Sequence, residues 1–137
     1  MLAVGGEDEN GNLLDSCESY GVREQTWRMM NTMNQRSKNV GLCKFSSGSR
    51  KDQNKPIFVY AFGKLAIERI ELTKTPVNPR WEELIVRNFS TLPQATLSLK
   101  YDDNLILIVG GIDENNSNSQ DVFMFNPINM QMVKAAN

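Results

Sequence analysis

The sequence predicts an all-β fold in which one antiparallel unit is repeated along the chain. Three observations support this prediction: an apolar run ends in two glycines at two places, aromatic residues follow each run at a fixed spacing, and no window of about 11 residues combines an apolar helical stripe with helix caps. The chain has 137 residues, of which 40% are hydrophobic, so its length and composition are those of an ordinary globular domain.

The first and third copies of the repeat align without a gap. Residues 1–6 read Met-Leu-Ala-Val-Gly-Gly and residues 106–111 read Ile-Leu-Ile-Val-Gly-Gly, and Asp-Glu-Asn follows one residue later in both. The offset of 105 residues aligns two further pairs, Tyr20 with Phe125 and Trp27 with Met132. Because all these landmarks keep one register, chance similarity is a poor explanation.

A degenerate middle copy fills the space between them. Residues 57–63 form an apolar run that ends in glycine, although Phe62 stands where the other copies have their first glycine. Trp81 matches Trp27, and Ile70 takes the aromatic position. Equivalent residues are spaced about 50 residues apart, which is the length of one supersecondary repeat unit.

Each copy is expected to contain an apolar strand, a loop, a short second strand, a third strand at the tryptophan position and a fourth strand that precedes the next apolar run. Second strands are expected at 16–20 and 121–125, fourth strands at 39–44 and 95–100, and turns at 45–55 and 102–104. A helical alternative has local support at residues 24–36, which lack glycine and proline, but the repeat register assigns them to strands and turns. The repeat predicts eleven strands in total.

The order of apolar strand, glycine pair, loop, aromatic residue and tryptophan resembles the kelch repeat, which is one four-stranded blade of a β-propeller. The landmarks of this resemblance are Gly5, Gly6, Tyr20, Trp27, Gly63, Trp81, Gly110, Gly111, Phe125 and Met132. The resemblance implies a partial β-propeller of about three four-stranded antiparallel blades. Such a propeller does not close within one chain, because closure needs 4 to 8 blades.

The resemblance covers nearly the whole chain and sets approximate blade boundaries at 1–36, 39–87 and 95–137. The first blade would lack its first strand, because Met1 already lies in the glycine-ending strand. The resemblance also implies that Tyr20, Trp27 and Trp81 pack between neighbouring sheets, where aromatic side chains bury large apolar areas.

The sequence offers no recognisable set of catalytic or metal-ligating residues. Histidine, the commonest general base and metal ligand, is absent. Cys17 and Cys43 are too few for a tetrahedral zinc site, and we interpret them as buried reduced thiols. Residues 8–12 and 113–117 resemble the start of a calcium loop but lack its glycine and glutamate, so we interpret them as solvated turns. We expect no enzymatic activity, cofactor or metal.

Charge and hydropathy exclude further classes of function. Lys and Arg number 15 and Asp and Glu number 16, and the resulting net charge of −1 argues against binding to nucleic acid or to an anionic membrane. The longest apolar runs are too short to span a bilayer, and the chain starts without a signal-peptide pattern. We therefore expect a cytoplasmic protein.

The resulting hypothesis is a non-catalytic protein-interaction or scaffold module of the kelch type. In kelch families, partners usually dock on loops at one face, because loops on a rigid scaffold carry binding. The corresponding loops here are residues 7–14, 30–38, 64–66, 87–94 and 112–120. Candidate partner-binding residues in exposed loops are Arg23, Arg36, Arg87, Asp8 and Asp113.

Two other hypotheses stay open. One is a glycan-binding, ligand-binding or enzymatic propeller whose acidic and asparagine-rich loops line its mouth. The other is a truncated propeller fragment without an independent function. The incomplete number of blades also predicts self-association through the open propeller edges, for example in a head-to-tail homodimer. The sequence identifies no individual partner protein.

Overall fold

The computed structural model describes residues 1–46, 55–72 and 79–135, which form eleven strands and no helix. The strands are β1 (Leu2–Val4), β2 (Cys17–Gly21), β3 (Thr26–Met29), β4 (Gly41–Phe45), β5 (Phe58–Phe62), β6 (Ile67–Glu71), β7 (Trp81–Glu83), β8 (Leu97–Lys100), β9 (Ile106–Val109), β10 (Val122–Asn126) and β11 (Gln131–Lys134). This part of the chain therefore holds no helix that could cross a membrane.

The strands form three antiparallel sheets, in each of which neighbours in space are neighbours in the chain. Sheet I contains β1 to β3, sheet II contains β4 to β7, and sheet III contains β8 to β11. None of the three sheets closes on itself through the described strands. The predicted all-β class is confirmed, and so is the smaller strand number of the first unit.

The expected strand positions differ from the observed ones by one or two residues. The second strands predicted at 16–20 and 121–125 each begin one residue later. The helical alternative at 24–36 is wrong, because Thr26–Met29 pairs along its length with β2. Residues 47–54 of the turn predicted at 45–55 lie outside the described residues.

The repeat landmarks occupy one equivalent cross-strand position in all three sheets. The backbone register pairs Tyr20 with Trp27 in sheet I, Ile70 with Trp81 in sheet II, and Phe125 with Met132 in sheet III. Since directly paired residues share a face of a sheet, each pair projects a bulky side-chain patch from the same side of its unit. We call the side that carries these pairs the N-side face, because in sheets II and III it faces the preceding sheet. The opposite side is called the C-side face.

Sheets I and II pack face to face through the first of two apolar clusters. Ile70 and Trp81 on the N-side face of sheet II are buried together with Cys17 of sheet I. Leu2 and Val4 of β1 pack against the same cluster. Side chains alternate in direction along each strand, so these residues project from one face of their sheet. There they interdigitate with the side chains of the facing sheet.

Sheets II and III pack through the second and larger cluster. Tyr60 and Phe62, on the C-side face of sheet II, contact the ring of Phe125 from sheet III, with ring centroids 5.7 and 5.6 Å apart. Ile106 and Met132 complete the contact and are almost fully buried. The two interfaces therefore use the same pair of faces, C-side against N-side.

Trp27 corrects the sequence-based expectation that both tryptophans are core residues. Trp81 is buried, with 6% of its surface exposed, whereas Trp27 is 49% exposed. The physical reason is that Trp81 lies between sheets I and II, while Trp27 and its neighbour Tyr20 lie on the N-side face of sheet I, against which the described residues place no other sheet.

Glycine pairs end β1 and β9 because the chain adopts left-handed backbone there. Gly5 and Gly110 have φ values of 63° and 67°, which are costly for residues with a Cβ atom. The Gly5 N–H donates to the carbonyl of Ser16 at 2.8 Å, and that of Gly110 donates to the carbonyl of Asp121 at 2.9 Å. The repeat is thus equivalent in its hydrogen bonding as well as in its sequence.

Candidate partner-binding surface

The loops that follow the glycine-ending strands lie together at one end of the sheets, here called the loop end. The loop end comprises residues 5–16, 37–40, 63–66, 92–96 and 110–121. Gly41 pairs with Phe62, and Leu97 pairs with Val109, so β4 and β8 each begin where the neighbouring glycine-ending strand finishes. As a result, the connections between sheets enter at the same end as the loops.

Backbone hydrogen bonds join these loops across the sheet boundaries. The Gly6 N–H donates to the carbonyl of Ser37 at 2.8 Å, and the Ser37 N–H donates to the carbonyl of Leu14 at 3.0 Å. Farther along, the Ala95 N–H donates to the carbonyl of Asn39 at 2.8 Å. Loops that satisfy one another's backbone groups form a firmer platform than isolated loops do.

A buried carboxylate anchors the connection between sheets I and II. Glu68 of β6 is only 3% exposed, yet it is ionisable. It accepts hydrogen bonds from the backbone N–H of Asn34 at 2.8 Å, from the side-chain amide of Asn34 at 2.9 Å and from the backbone N–H of Gln35 at 2.9 Å. These donors compensate for the loss of water around the carboxylate, so Glu68 is interpreted as a structural residue.

The loop end contains a cleft with a mainly apolar wall. Leu13, Met33, Val40, Ala61 and Leu65 line it, and the empty space within it, part of which is open to solvent, is about 630 Å³. Leu65 is 72% exposed although it is a large apolar residue. A concave apolar surface of this kind, carrying an exposed leucine, is suited to receiving an apolar side chain from another molecule.

A second depression continues the surface toward sheet III. Lys64 and Gln94 line both spaces, so the two depressions adjoin. Ile112, from the loop after β9, forms part of its apolar wall and is 38% exposed. The combined surface therefore extends across all three sheets.

Both lysines of the loop end form ion pairs with acidic residues of neighbouring loops. Lys38 forms an ion pair with Glu7, and Lys64 approaches Glu114 to 3.6 Å. The predicted contact residue Arg36 lies beside the cleft, where it approaches Asp15 to 3.6 Å. The loop end nevertheless holds seven acidic residues and two lysines, so it presents apolar groups beside an excess of negative charge.

The other two predicted arginines lie elsewhere. Arg23 is an exposed residue of the turn between β2 and β3, at the opposite end of sheet I. Arg87 is exposed, and its backbone N–H donates to the carbonyl of Met130 at 2.8 Å, which places it beside the start of β11. The structure thus brings Arg36, but neither of these residues, to the cleft.

Asp8 and Asp113 stabilise their own loops. The Asp8 carboxylate accepts hydrogen bonds from the backbone N–H groups of Asn10 at 2.9 Å and Asn12 at 2.8 Å, and from the Asn12 side chain at 2.9 Å. The bonds from Asn12 and Asn10 lower the pKa of Asp8. Asp113 accepts two equivalent backbone bonds, from residues 115 and 117, each at 2.9 Å. Both motifs are therefore turns, as the mismatch with the calcium loop suggested.

The two cysteines are buried free thiols that lie in different apolar clusters. Burial raises the pKa of Cys17, and it raises the pKa of Cys43 to about 11. A thiol of this kind is a weak nucleophile, because the thiolate is the reactive form. Within residues 1–46, 55–72 and 79–135, no three His, Cys, Asp or Glu side chains are grouped to hold a metal ion.

No family model and no curated protein sequence matches this chain. The loop end is therefore a candidate site on the grounds of its geometry and surface chemistry alone.

Sequence reasoning did not single out Glu68 or Leu65. The partners of Glu68 lie more than thirty positions away in the chain, so no local pattern marks it. Leu65 had a local signal, because it is an apolar residue in a three-residue loop that follows a glycine.

Proposed function

We propose that this chain is a non-catalytic protein-interaction module, in which the loop end binds a segment of a partner protein. The exposed apolar cleft around Leu65 carries this proposal. Sheets packed in series hold the cleft, and hydrogen bonds between loops limit the cost of ordering it on binding.

The chemistry of the cleft favours a partner with an apolar anchor residue. Leu13, Val40 and Leu65 provide apolar contacts, and the ion pairs Lys38–Glu7 and Lys64–Glu114 lie beside them. The excess of acidic residues at the loop end favours a partner segment that carries basic residues beside this anchor.

The kelch resemblance supports the same function and a finer description of the fold. In this proposal the three sheets are three blades of an open, kelch-type propeller segment that acts as a scaffold. The proposed setting is the cytoplasm, because Cys17 and Cys43 are unpaired thiols of the kind that persist in a reducing compartment.

Selection from a random peptide library displayed on phage tests this function. Peptides selected against the wild-type chain should bind Leu65→Asp at least about tenfold more weakly, because a charge would be desolvated in the cleft. Ile85→Asp is the matched control, since Ile85 is 95% exposed and does not line the cleft. Selected peptides that bind both variants equally well would contradict the proposal, as would a selection that yields no binder.

A thermal-shift screen with mono- and oligosaccharides and divalent cations tests the alternative of a ligand-binding or enzymatic propeller. We expect no shift of the melting temperature, because the Asp8 and Asp113 carboxylates accept hydrogen bonds from their own loops. A shift of several degrees that is lost in Asp8→Ala or Asp113→Ala would replace the present proposal with ligand binding.

A further inference from the structure

The C-side face of sheet III is an apolar surface that the described residues leave uncovered. The backbone register places Leu97 opposite Val109, Leu99 opposite Leu107, and Met124 between Leu107 and Val133, so these side chains share one face. Leu97 is 66% exposed and Val133 is 44% exposed. The opposite face of the same sheet holds the buried residues Ile106, Ile108 and Phe125, so sheet III carries apolar side chains on both faces.

The N-side face of sheet I is the second uncovered apolar surface. It carries Tyr20 and Trp27, whose ring centroids are 5.2 Å apart, together with Ala3 and Met29. Met29 is 68% exposed, in addition to the exposed Trp27. Large apolar groups grouped on one sheet face, rather than scattered, indicate a contact surface.

The two uncovered faces match each other through the packing already present inside the chain. At both internal interfaces, the C-side face of one sheet covers the N-side face of the next. Tyr20 and Trp27 occupy the positions of Ile70 and Trp81, and of Phe125 and Met132, which are all buried by such a C-side face. The surface suited to cover Tyr20 and Trp27 is therefore the kind of face that sheet III leaves open.

One charged residue on the N-side face of sheet I fits this equivalence. Glu18 precedes Tyr20 by two positions, as Glu68 precedes Ile70. In sheet II, Glu68 is buried and hydrogen-bonded by the connection that arrives from the preceding sheet. A carboxylate at this position is thus compatible with a face that is covered.

We propose that a second copy of this chain covers these faces head to tail, with the C-side face of sheet III in one copy packed on the N-side face of sheet I in the other. The interface is heterologous, because each copy contributes a different surface. Two copies that close on each other form the interface twice and cover both faces of both chains. This proposal concerns the sheet faces and is independent of partner binding at the loop end.

Light scattering coupled to size exclusion, over a range of protein concentrations, tests the proposal directly. We expect a mass of about twice the 15.5 kDa of one chain, or of larger head-to-tail assemblies, at the higher concentrations. A mass of one chain at every concentration up to the solubility limit would overturn the proposal and assign the faces to another occupant.

Two charge substitutions distinguish a head-to-tail contact from a symmetric one. Trp27→Arg disrupts the N-side face of sheet I, and Leu99→Arg disrupts the C-side face of sheet III. Each variant alone should associate at least tenfold more weakly than wild type. Mixed in equal amounts, they should form a 1:1 dimer, because each retains the face that the other has lost.

The controls separate loss of association from loss of folding. Circular dichroism should show the wild-type spectrum for both variants, since each replaced side chain is more than a third exposed. Ile85→Arg, a fully exposed substitution on neither face, should associate as wild type does, and so should Leu65→Asp at the loop end. A Leu99→Arg or Trp27→Arg variant that alone still forms the wild-type dimer would overturn the head-to-tail arrangement, as would a mixture that stays monomeric.

Discussion

The buried carboxylate of Glu68 accepts hydrogen bonds from both the backbone N–H and the side-chain amide of Asn34, at 2.8 and 2.9 Å. The Asn34 side chain also donates to the carbonyl of Trp81 at 3.1 Å. One asparagine in the connection after sheet I is therefore fixed to two strands of sheet II. This contact joins the packing of the two sheets to the placement of the loops that follow.

Replacing Glu68 should destabilise the chain more than replacing any exposed carboxylate of the same strand. Glu68→Gln places an amide N–H₂ group against backbone donors, so we expect the free energy of unfolding to fall by about 2 to 3 kcal/mol. Urea denaturation at pH 7 measures this change. Glu71→Gln, an exposed substitution in the same strand, is the control and should change stability by less than about 0.5 kcal/mol. Equal effects of the two substitutions would show that the Asn34 contact contributes little.

Gly5 should tolerate no side chain, whereas Gly11 should tolerate asparagine. A Cβ atom at Gly5 would overlap the carbonyl oxygen of Ser37, and φ there is 63°, so Gly5→Ala should cost about 2 kcal/mol or more. Gly11 has a φ of 81°, a Cβ atom there would meet only the Glu7 side chain at an ordinary van der Waals distance, and its repeat equivalent Asn116 adopts a φ of 60°. Gly11→Asn should therefore cost less than about 1 kcal/mol. Thermal denaturation compares the two, and a larger cost for Gly11→Asn would contradict the assigned roles.

Stability should decrease at alkaline pH in a way that depends on Cys43. Its pKa is raised from 9.0 to about 11 by burial, so the folded state keeps the proton over a range in which the unfolded state loses it. The corresponding stabilisation is complete below pH 9 and is lost as the pH rises toward 11, with a full size of about 2 to 3 kcal/mol. Denaturation of wild type and Cys43→Ser between pH 8 and 11 measures the difference, since serine does not titrate in this range. Parallel pH profiles would show that Cys43 ionises as freely in the folded chain as in the unfolded one.

On the acid side, Asp8 should contribute a pH-dependent part of the stability. Hydrogen bonds from Asn12 and Asn10 lower its pKa in the folded state, so this contribution is present above the unfolded-state pKa and is lost as the pH falls through the lower folded-state value. Asp8→Asn should therefore have a flatter stability profile than wild type below about pH 4, the ordinary range of an Asp side chain. Glu9→Gln, which replaces an exposed neighbouring carboxylate, is the control. The expectation would be wrong if Asp8→Asn and wild type lost stability in parallel.

The local pattern of the chain was enough to predict the class of fold and the repeat. Three kinds of signal act over only a few positions: apolar strand segments, glycines that need a left-handed backbone, and turn-forming Asp and Asn residues. Gly5, Gly110, Asp8 and Asp113 could therefore be placed from the sequence. The alignment of Tyr20 with Phe125 also holds, because both occupy the same cross-strand position.

Only the tertiary structure decided which landmark residues are buried and where the loops meet. Trp27 and Trp81 have equivalent positions within their sheets, but burial depends on whether another sheet lies against the face, and only Trp81 has one among the described residues. Likewise, Glu68 contacts residues 34 and 35 through the packing of two sheets, and the cleft around Leu65 arises between loops that are distant in the chain. Sequence periodicity fixes the direction of a side chain, whereas its environment is set by contacts between separate units.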